Sequence, residues 1–114
     1  WMDKNSRSSV EMKDPTSRPA IASRITNIDQ YDTVFVGFPI WWYVAPTIIN
    51  TFLESYDFSS KTVIPFATSG GSGMGNTDEI LKKCCSSETN WKPGKRFENS
   101  DASVIKEWLN SLSI

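Results

Sequence analysis

Two stretches of the chain carry residue types suited to chemistry. The first is Pro39-Ile40-Trp41-Trp42-Tyr43, with aromatic residues in immediate succession. Side chains one residue apart point in different directions, so these rings cannot all share one small core. Either at least one ring faces a ligand or a partner, or the rings cover a sheet end or an oligomer interface. A flat aromatic ligand would gain area burial and stacking from such a wall. The second stretch is Thr68-Ser69-Gly70-Gly71-Ser72-Gly73-Met74-Gly75-Asn76. Its glycines let a backbone approach a ligand closely and present N–H donors. Read alone, the same stretch is a flexible turn. It is not a P-loop, because no Gly-Lys-Ser/Thr follows, and Asn76 stands where G-x-G-x-x-G needs its last glycine. Taken together, an aromatic wall and a donor-rich glycine loop outline a slot for a planar heterocycle with polar edges.

Other reactive residues point elsewhere. The chain has no histidine, which removes the usual general base and the commonest metal ligand. Zinc hydrolysis and Ser-His or Cys-His catalysis within this chain are disfavoured accordingly. Cys84 and Cys85 are adjacent, and the ring they would close is strained. They read as free thiols in a reducing cytoplasm, and as buried structural groups in preference to redox centres. Lys92, Lys95 and Arg96 read as a solvated basic turn in preference to an anion site.

The elements that must hold the two loops follow from periodicity. Thr33-Val34-Phe35-Val36-Gly37-Phe38 is a continuous apolar run, as in a strand buried on both faces, and Pro39 ends it. Pro46 suits the first position of a helix. Ile48, Ile49, Phe52, Leu53 and Tyr56 then mark one apolar helical face. Thr62-Val63-Ile64-Pro65-Phe66-Ala67 is a second strand, although Pro65 cannot donate to a ladder. Asn76 and Glu79 resemble a capping box for a helix with Ile80, Leu81, Cys84 and Cys85 on its apolar face. Trp91 to Phe97 reads as a short strand after a turn at Pro93-Gly94. Ser100 or Asp101 caps a last helix whose face is Val104, Ile105, Trp108, Leu109 and Leu112. Upstream, residues 1–18 read as a polar loop or arm. Pro19 opens a short helix with Ile21, Ile25 and Ile28 at helical spacing. Alternation of this kind implies an α/β fold, a parallel sheet with helices on both faces. Both loops then fall at carboxyl ends of strands, where such sheets bind ligands.

Composition sets outer bounds. With 114 residues, 39% hydrophobic and 22% charged, the chain suits one globular domain. A net charge of −1 gives no argument for nucleic acid or an anionic membrane. No apolar run approaches transmembrane length.

The segment Tyr31-Asp32-Thr33-Val34-Phe35-Val36-Gly37-Phe38-Pro39-Ile40-Trp41-Trp42 resembles the third-strand segment of the flavodoxin-like family of bacterial FMN-dependent proteins. Ala45-Pro46 with Phe52-Leu53-Glu54 resembles the helix that follows. Lys61 to Phe66 and Thr68 to Gly73 resemble the fourth strand and second flavin loop. The resemblance runs from about Arg18 to the C-terminus and accepts Pro65 within a strand. It implies that the isoalloxazine ring of FMN lies between Pro39, Ile40, Trp41, Trp42 and Tyr43 on one side and Thr68, Ser69, Gly70, Gly71, Ser72 and Gly73 on the other. Backbone donors at a flavin's polar edge favour one redox state over another and so shift its potential.

The resemblance also implies an N-terminal strand and a phosphate loop with a Thr-Gly-Asn-Thr-like core, and nothing like that loop stands ahead of the matching region. The expectation is therefore a partial flavodoxin-like three-layer sandwich without that unit. Residues 1–114 would form a single truncated domain, of which 19–114 is the matching region. FMN would be bound weakly or not at all by this chain alone. The strand near Val34 would lose a neighbour, and an apolar edge invites pairing, so a homo-oligomer is expected. The expected function is an FMN-binding oxidoreductase, quinone-reductase-like, or an electron carrier, in the cytoplasm. The alternative is a cofactor-free chain acting as an oligomeric interaction protein.

Overall fold

The structure, a computed structural model, describes residues 3–41, 44–69, 73–98 and 101–112. In chain order its elements are α1 (Arg7–Met12), a single 3-10 turn (Ile28–Gln30), β1 (Thr33–Pro39), α2 (Thr47–Glu54), β2 (Thr62–Thr68), α3 (Thr77–Lys82), β3 (Asn90–Trp91), β4 (Lys95–Phe97) and α4 (Ala102–Ser111). Every strand pairing is parallel, and β2 is central. β1 pairs with β2 in register from Thr33↔Thr62 to Pro39↔Thr68.

Along the other side of β2, β3 and β4 are two halves of one interrupted strand. Ile64 and Pro65 lie between the pairs Val63↔Trp91 and Phe66↔Lys95, opposite Lys92, Pro93 and Gly94. The extra residue is a bulge, and its cause is Pro65. Lys92 N–H donates to the Val63 carbonyl, so by strand alternation the backbone of Pro65 faces the same side. Proline has no N–H to give there. Pro65 thus survives in a central strand, fully buried, because the neighbouring strand breaks beside it.

Strand alternation divides the sheet into two faces. Val36, Phe38, Val63 and Ala67 meet Leu53 of α2, Leu81 of α3, and Ile28, Ala45 and Phe58 in one core. On the opposite face, Trp108 of α4 packs edge-on or tilted against Phe35, Phe66 and Phe97, with centroids 5.9, 6.1 and 5.3 Å away. Gly37 is required on that face, because a Cβ there would fall 2.3 Å from the Phe66 ring. The result is a three-layer α/β sandwich, as expected.

Several local expectations are corrected. Residues 1–18, read as a polar loop or arm, contain α1, which buries Ser8, Ser9 and Glu11. Its polar sequence hides a real cap, since the Ser6 hydroxyl accepts from Ser9 N–H at 3.3 Å. The helix expected after Pro19 is confined to the 3-10 turn at Ile28–Gln30. The preceding segment bonds to the end of α2 instead: Arg24 donates to the Ser55 carbonyl at 2.8 Å, and Ile25 N–H to the Tyr56 hydroxyl at 2.8 Å. Asn76 makes no side-chain cap on α3. Pro46 is the cap residue of α2, one position before its first turn. At α4 it is Asp101 that caps, accepting from Val104 N–H at 3.0 Å. Cys84 and Cys85 lie just beyond α3, unpaired and half-buried.

Candidate functional site

The two loops leave neighbouring parallel strands at the same level. Pro39 and Thr68 are register partners, and adjacent strands run ~4.8 Å apart. Ile40 N–H donates to the Thr68 carbonyl at 3.2 Å, extending the ladder one step into the loops. This is the carboxyl edge of the sheet, where α/β folds hold their ligands.

The first loop returns on itself within a few residues. Trp41 N–H donates to the Val44 carbonyl at 2.9 Å, and Val44 N–H donates back to the Trp41 carbonyl at 3.1 Å. Trp41 is half-buried, Ile40 packs on the core, and Ala45 and Pro46 anchor the exit. Pro39 is exposed at the strand end. Trp42 and Tyr43, expected in the wall, lie outside the described residues.

The second loop is anchored at both ends. Ser69 N–H donates to the Phe97 carbonyl at 3.2 Å. The Ser69 carbonyl accepts from Arg96 Nη2 at 3.2 Å. At the far end Thr77 N–H donates to the Met74 carbonyl at 2.9 Å. Gly75 has φ 53°, in the left-handed region that favours glycine. Thr68 and Gly73 are exposed, and nothing crowds the position of a Cβ at Gly73. Gly70, Gly71 and Ser72 lie outside the described residues.

A cavity of about 80 Å³ is lined by Glu11 of α1, by Val44, Ala45, Thr47 and Asn50 after the first loop, and by Thr77 after the second, among others. Thr47 Oγ1, Asp78 Oδ1 and Arg96 Nε are buried without a hydrogen-bond partner among the described residues. Leaving such a group unsatisfied costs about 1–3 kcal/mol. Asp78 Oδ2 accepts from Gly94 N–H at 2.8 Å, which ties α3 to the bulge before β4. Arg96 was expected in a solvated basic turn, yet its side chain is only 26% exposed and its Nη2 donates to the Ser69 carbonyl at the start of the second loop. Sequence reading missed Asp78, Gly94 and Arg96 as supports. Gly94 beside Pro93 was the available signal, because that pair marked the break that brings β4 alongside the loop.

The thiols lie apart from this edge. Burial raises the Cys84 pKa, and burial with the neighbouring Cys84 pushes Cys85 up to about 11. Both are thus poorer nucleophiles than ordinary thiols. Among the described residues no group of His, Cys, Asp or Glu is arranged to hold a metal ion. No helix of the described residues is long and apolar enough to cross a membrane.

The flavodoxin family matches residues 1–112 of this sequence. The chain belongs to the flavodoxin family. No curated protein matches it. A solved structure from Bacteroides eggerthii DSM 20697, classed as a flavoprotein, is 52% identical, with a TM-score of 0.88 over 100% of this chain and 71% of that one. Another from Bacteroides uniformis ATCC 8492, also classed as a flavoprotein, is 49% identical, with a TM-score of 0.88 over 96% of this chain and 70% of that one. A flavoprotein from Lactobacillus acidophilus NCFM, solved in complex with FMN, is 22% identical over 75% of this chain and 54% of its own, with a TM-score of 0.54. At that distance the likeness speaks to the fold alone. Membership of the family accords with the three-layer sandwich and the parallel sheet.

Proposed function

We propose that this member of the flavodoxin family is an FMN-binding oxidoreductase or electron-transfer protein. Its flavin ring would be held between Pro39–Tyr43 and Thr68–Gly73. The observation that carries this reading is the pairing of Pro39 with Thr68, which starts both loops side by side at the carboxyl edge of the sheet. The residues fit the group. Trp41 offers an aromatic face that is only partly covered, and Gly73 leaves open space beside a backbone able to donate. The two Bacteroides structures, about half identical to this chain and classed as flavoproteins, support the choice of a flavin. When bound, the flavin supplies the redox chemistry. This chain's residues bind and orient the ring, exclude water from its apolar face and set hydrogen bonds at its polar edge. The free thiols Cys84 and Cys85 suit a cytoplasmic setting.

The test is a fluorescence titration with FMN that follows tryptophan quenching. Saturable binding is the expected outcome. Absence of binding by a folded sample would refute the proposal.

One observation favours a second reading, an oligomeric interaction protein. Among the described strands, β1 pairs only with β2. By alternation the backbone groups of Thr33, Phe35 and Gly37 face outward, and Phe35 is 40% exposed. The strand carries no charged residue, so its edge lacks the usual protection against pairing until Pro39. This reading predicts a dimer joined at β1, and a colourless, stable dimer would favour it over the first.

A further inference from the structure

We propose that Arg96 is a positioning residue that fixes the Ser69 peptide, the point from which the second loop leaves β2 at the flavin slot. This rests on the FMN reading above.

The ladder between β2 and β4 is short, running only from Phe66↔Lys95 through Ala67↔Arg96 to Thr68↔Phe97, because the bulge beside Pro65 interrupts it upstream. Ser69 is the first residue past that ladder. It is gripped at both its backbone groups from the same strand, its N–H by the Phe97 carbonyl and its carbonyl by Arg96 Nη2. The loop therefore begins from a fixed peptide, and that peptide's direction is set by a side chain as well as by a strand. Among the described residues Arg96 has no stronger competing attachment. Its carboxylate neighbour, Glu98 Oε2, is 3.7 Å away on a side chain that is 61% exposed, a geometry that contributes little. Arg96 Nε is buried with no partner among the described residues. A guanidinium with one nitrogen buried unpaired, bonded to a single carbonyl, is a poor stabiliser of the fold. It is a good constraint on the peptide that it holds.

The test uses the full chain with Arg96→Met, which keeps the length of the stem and removes the donors, and Arg96→Lys, which restores one. Without flavin, amide hydrogen exchange at Ser69 should rise at least tenfold in Arg96→Met, recover in Arg96→Lys, and stay unchanged at Val63 and Ala67. With FMN, Arg96→Met should weaken binding about tenfold and shift both the visible spectrum and the midpoint potential of the bound flavin, and Arg96→Lys should largely restore them. Unchanged exchange at Ser69 in Arg96→Met would overturn the proposal. So would faster exchange spread evenly over β2, which would make Arg96 a general support of the sheet. Faster exchange at Ser69 with unaltered affinity, spectrum and potential would also overturn it. If the unsubstituted, folded chain takes up no FMN, the cofactor reading falls, and the exchange data alone decide whether Arg96 tethers the loop.

Discussion

Gly94 offers a sharp test of how the second loop is braced. An ideal Cβ at this position lies 2.5 Å from Asp78 Oδ1 and 2.5 Å from Met74 Cε. The methionine methyl ends a flexible side chain and swings aside cheaply. The carboxylate cannot move without giving up its 2.8 Å bond from Gly94 N–H. A hydrogen bond to a charged acceptor contributes roughly 1.5–3 kcal/mol. Alanine restricts the unfolded chain, which offsets about 0.4–1 kcal/mol. Gly94→Ala should therefore destabilise by about 1–2 kcal/mol. For a chain of this length that lowers Tm by roughly 4–8 °C.

Urea denaturation of a double-mutant cycle with Asp78→Ala isolates the cause. Asp78→Ala alone should cost about 1–2 kcal/mol, because Gly94 N–H loses its acceptor. It also removes an acidic group from the first turn of α3, a loss common to both backgrounds that cancels in the cycle. In the Asp78→Ala background the clash with the carboxylate is gone and the flexible Met74 methyl is the nearest atom left, so Gly94→Ala should be close to neutral. The coupling should be about 1–2 kcal/mol. Additive costs, or a Gly94→Ala variant as stable as the parent, would refute the argument that the carboxylate and the glycine are mutually fitted.

Three further outcomes are expected. Trp41→Ala should weaken FMN binding by roughly 0.5–1.5 kcal/mol in a fluorescence titration, and an unchanged affinity would refute a stacking role for Trp41. If β1 pairs with a second copy, sedimentation at micromolar concentration should show a dimer that Phe35→Lys converts to monomer, and a monomeric parent chain would refute the edge pairing. The Cys85 thiol, raised from its ordinary value of 9.0 to about 11, binds its proton more tightly in the folded state, so stability should be intact below pH 9 and fall as pH rises from about 9 towards 11; a denaturation series in which Cys85→Ser shows the same alkaline fall would refute the assignment.

What could be read without coordinates was local. β1 and β2 announce themselves as apolar, β-branched runs, and α2 by its repeating apolar face. The residue types of the loops that follow them draw attention to the carboxyl edge, where the pairing of Pro39 with Thr68 sets them side by side. What escaped reading depends on contacts distant in sequence. α1 is held by burial of Ser8, Ser9 and Glu11 beneath later elements, which a polar hexapeptide does not advertise. Ile21, Ile25 and Ile28 have helical spacing, yet Arg24 and Ile25 find better partners at Ser55 and Tyr56, so tertiary bonds win over periodicity. Asn76 has the composition of a cap but takes no capping bond.

Pro65 shows how one apparent defect organises the site. A proline argues against a central strand, and that argument is sound for the ladder side that loses its donor. The fold meets it by breaking the opposing strand at Lys92-Pro93-Gly94, and the break has two consequences for the loops. It brings Gly94 against Asp78, which pins the start of α3 at the far end of the glycine loop. It also leaves β4 just long enough to place Arg96 and Phe97 on Ser69 at the near end. The glycine loop is thus supported at both ends by a strand that a more regular β2 would not have interrupted. Ser69 is held by residues more than twenty places further along the chain, and Asp78 by one sixteen places further along.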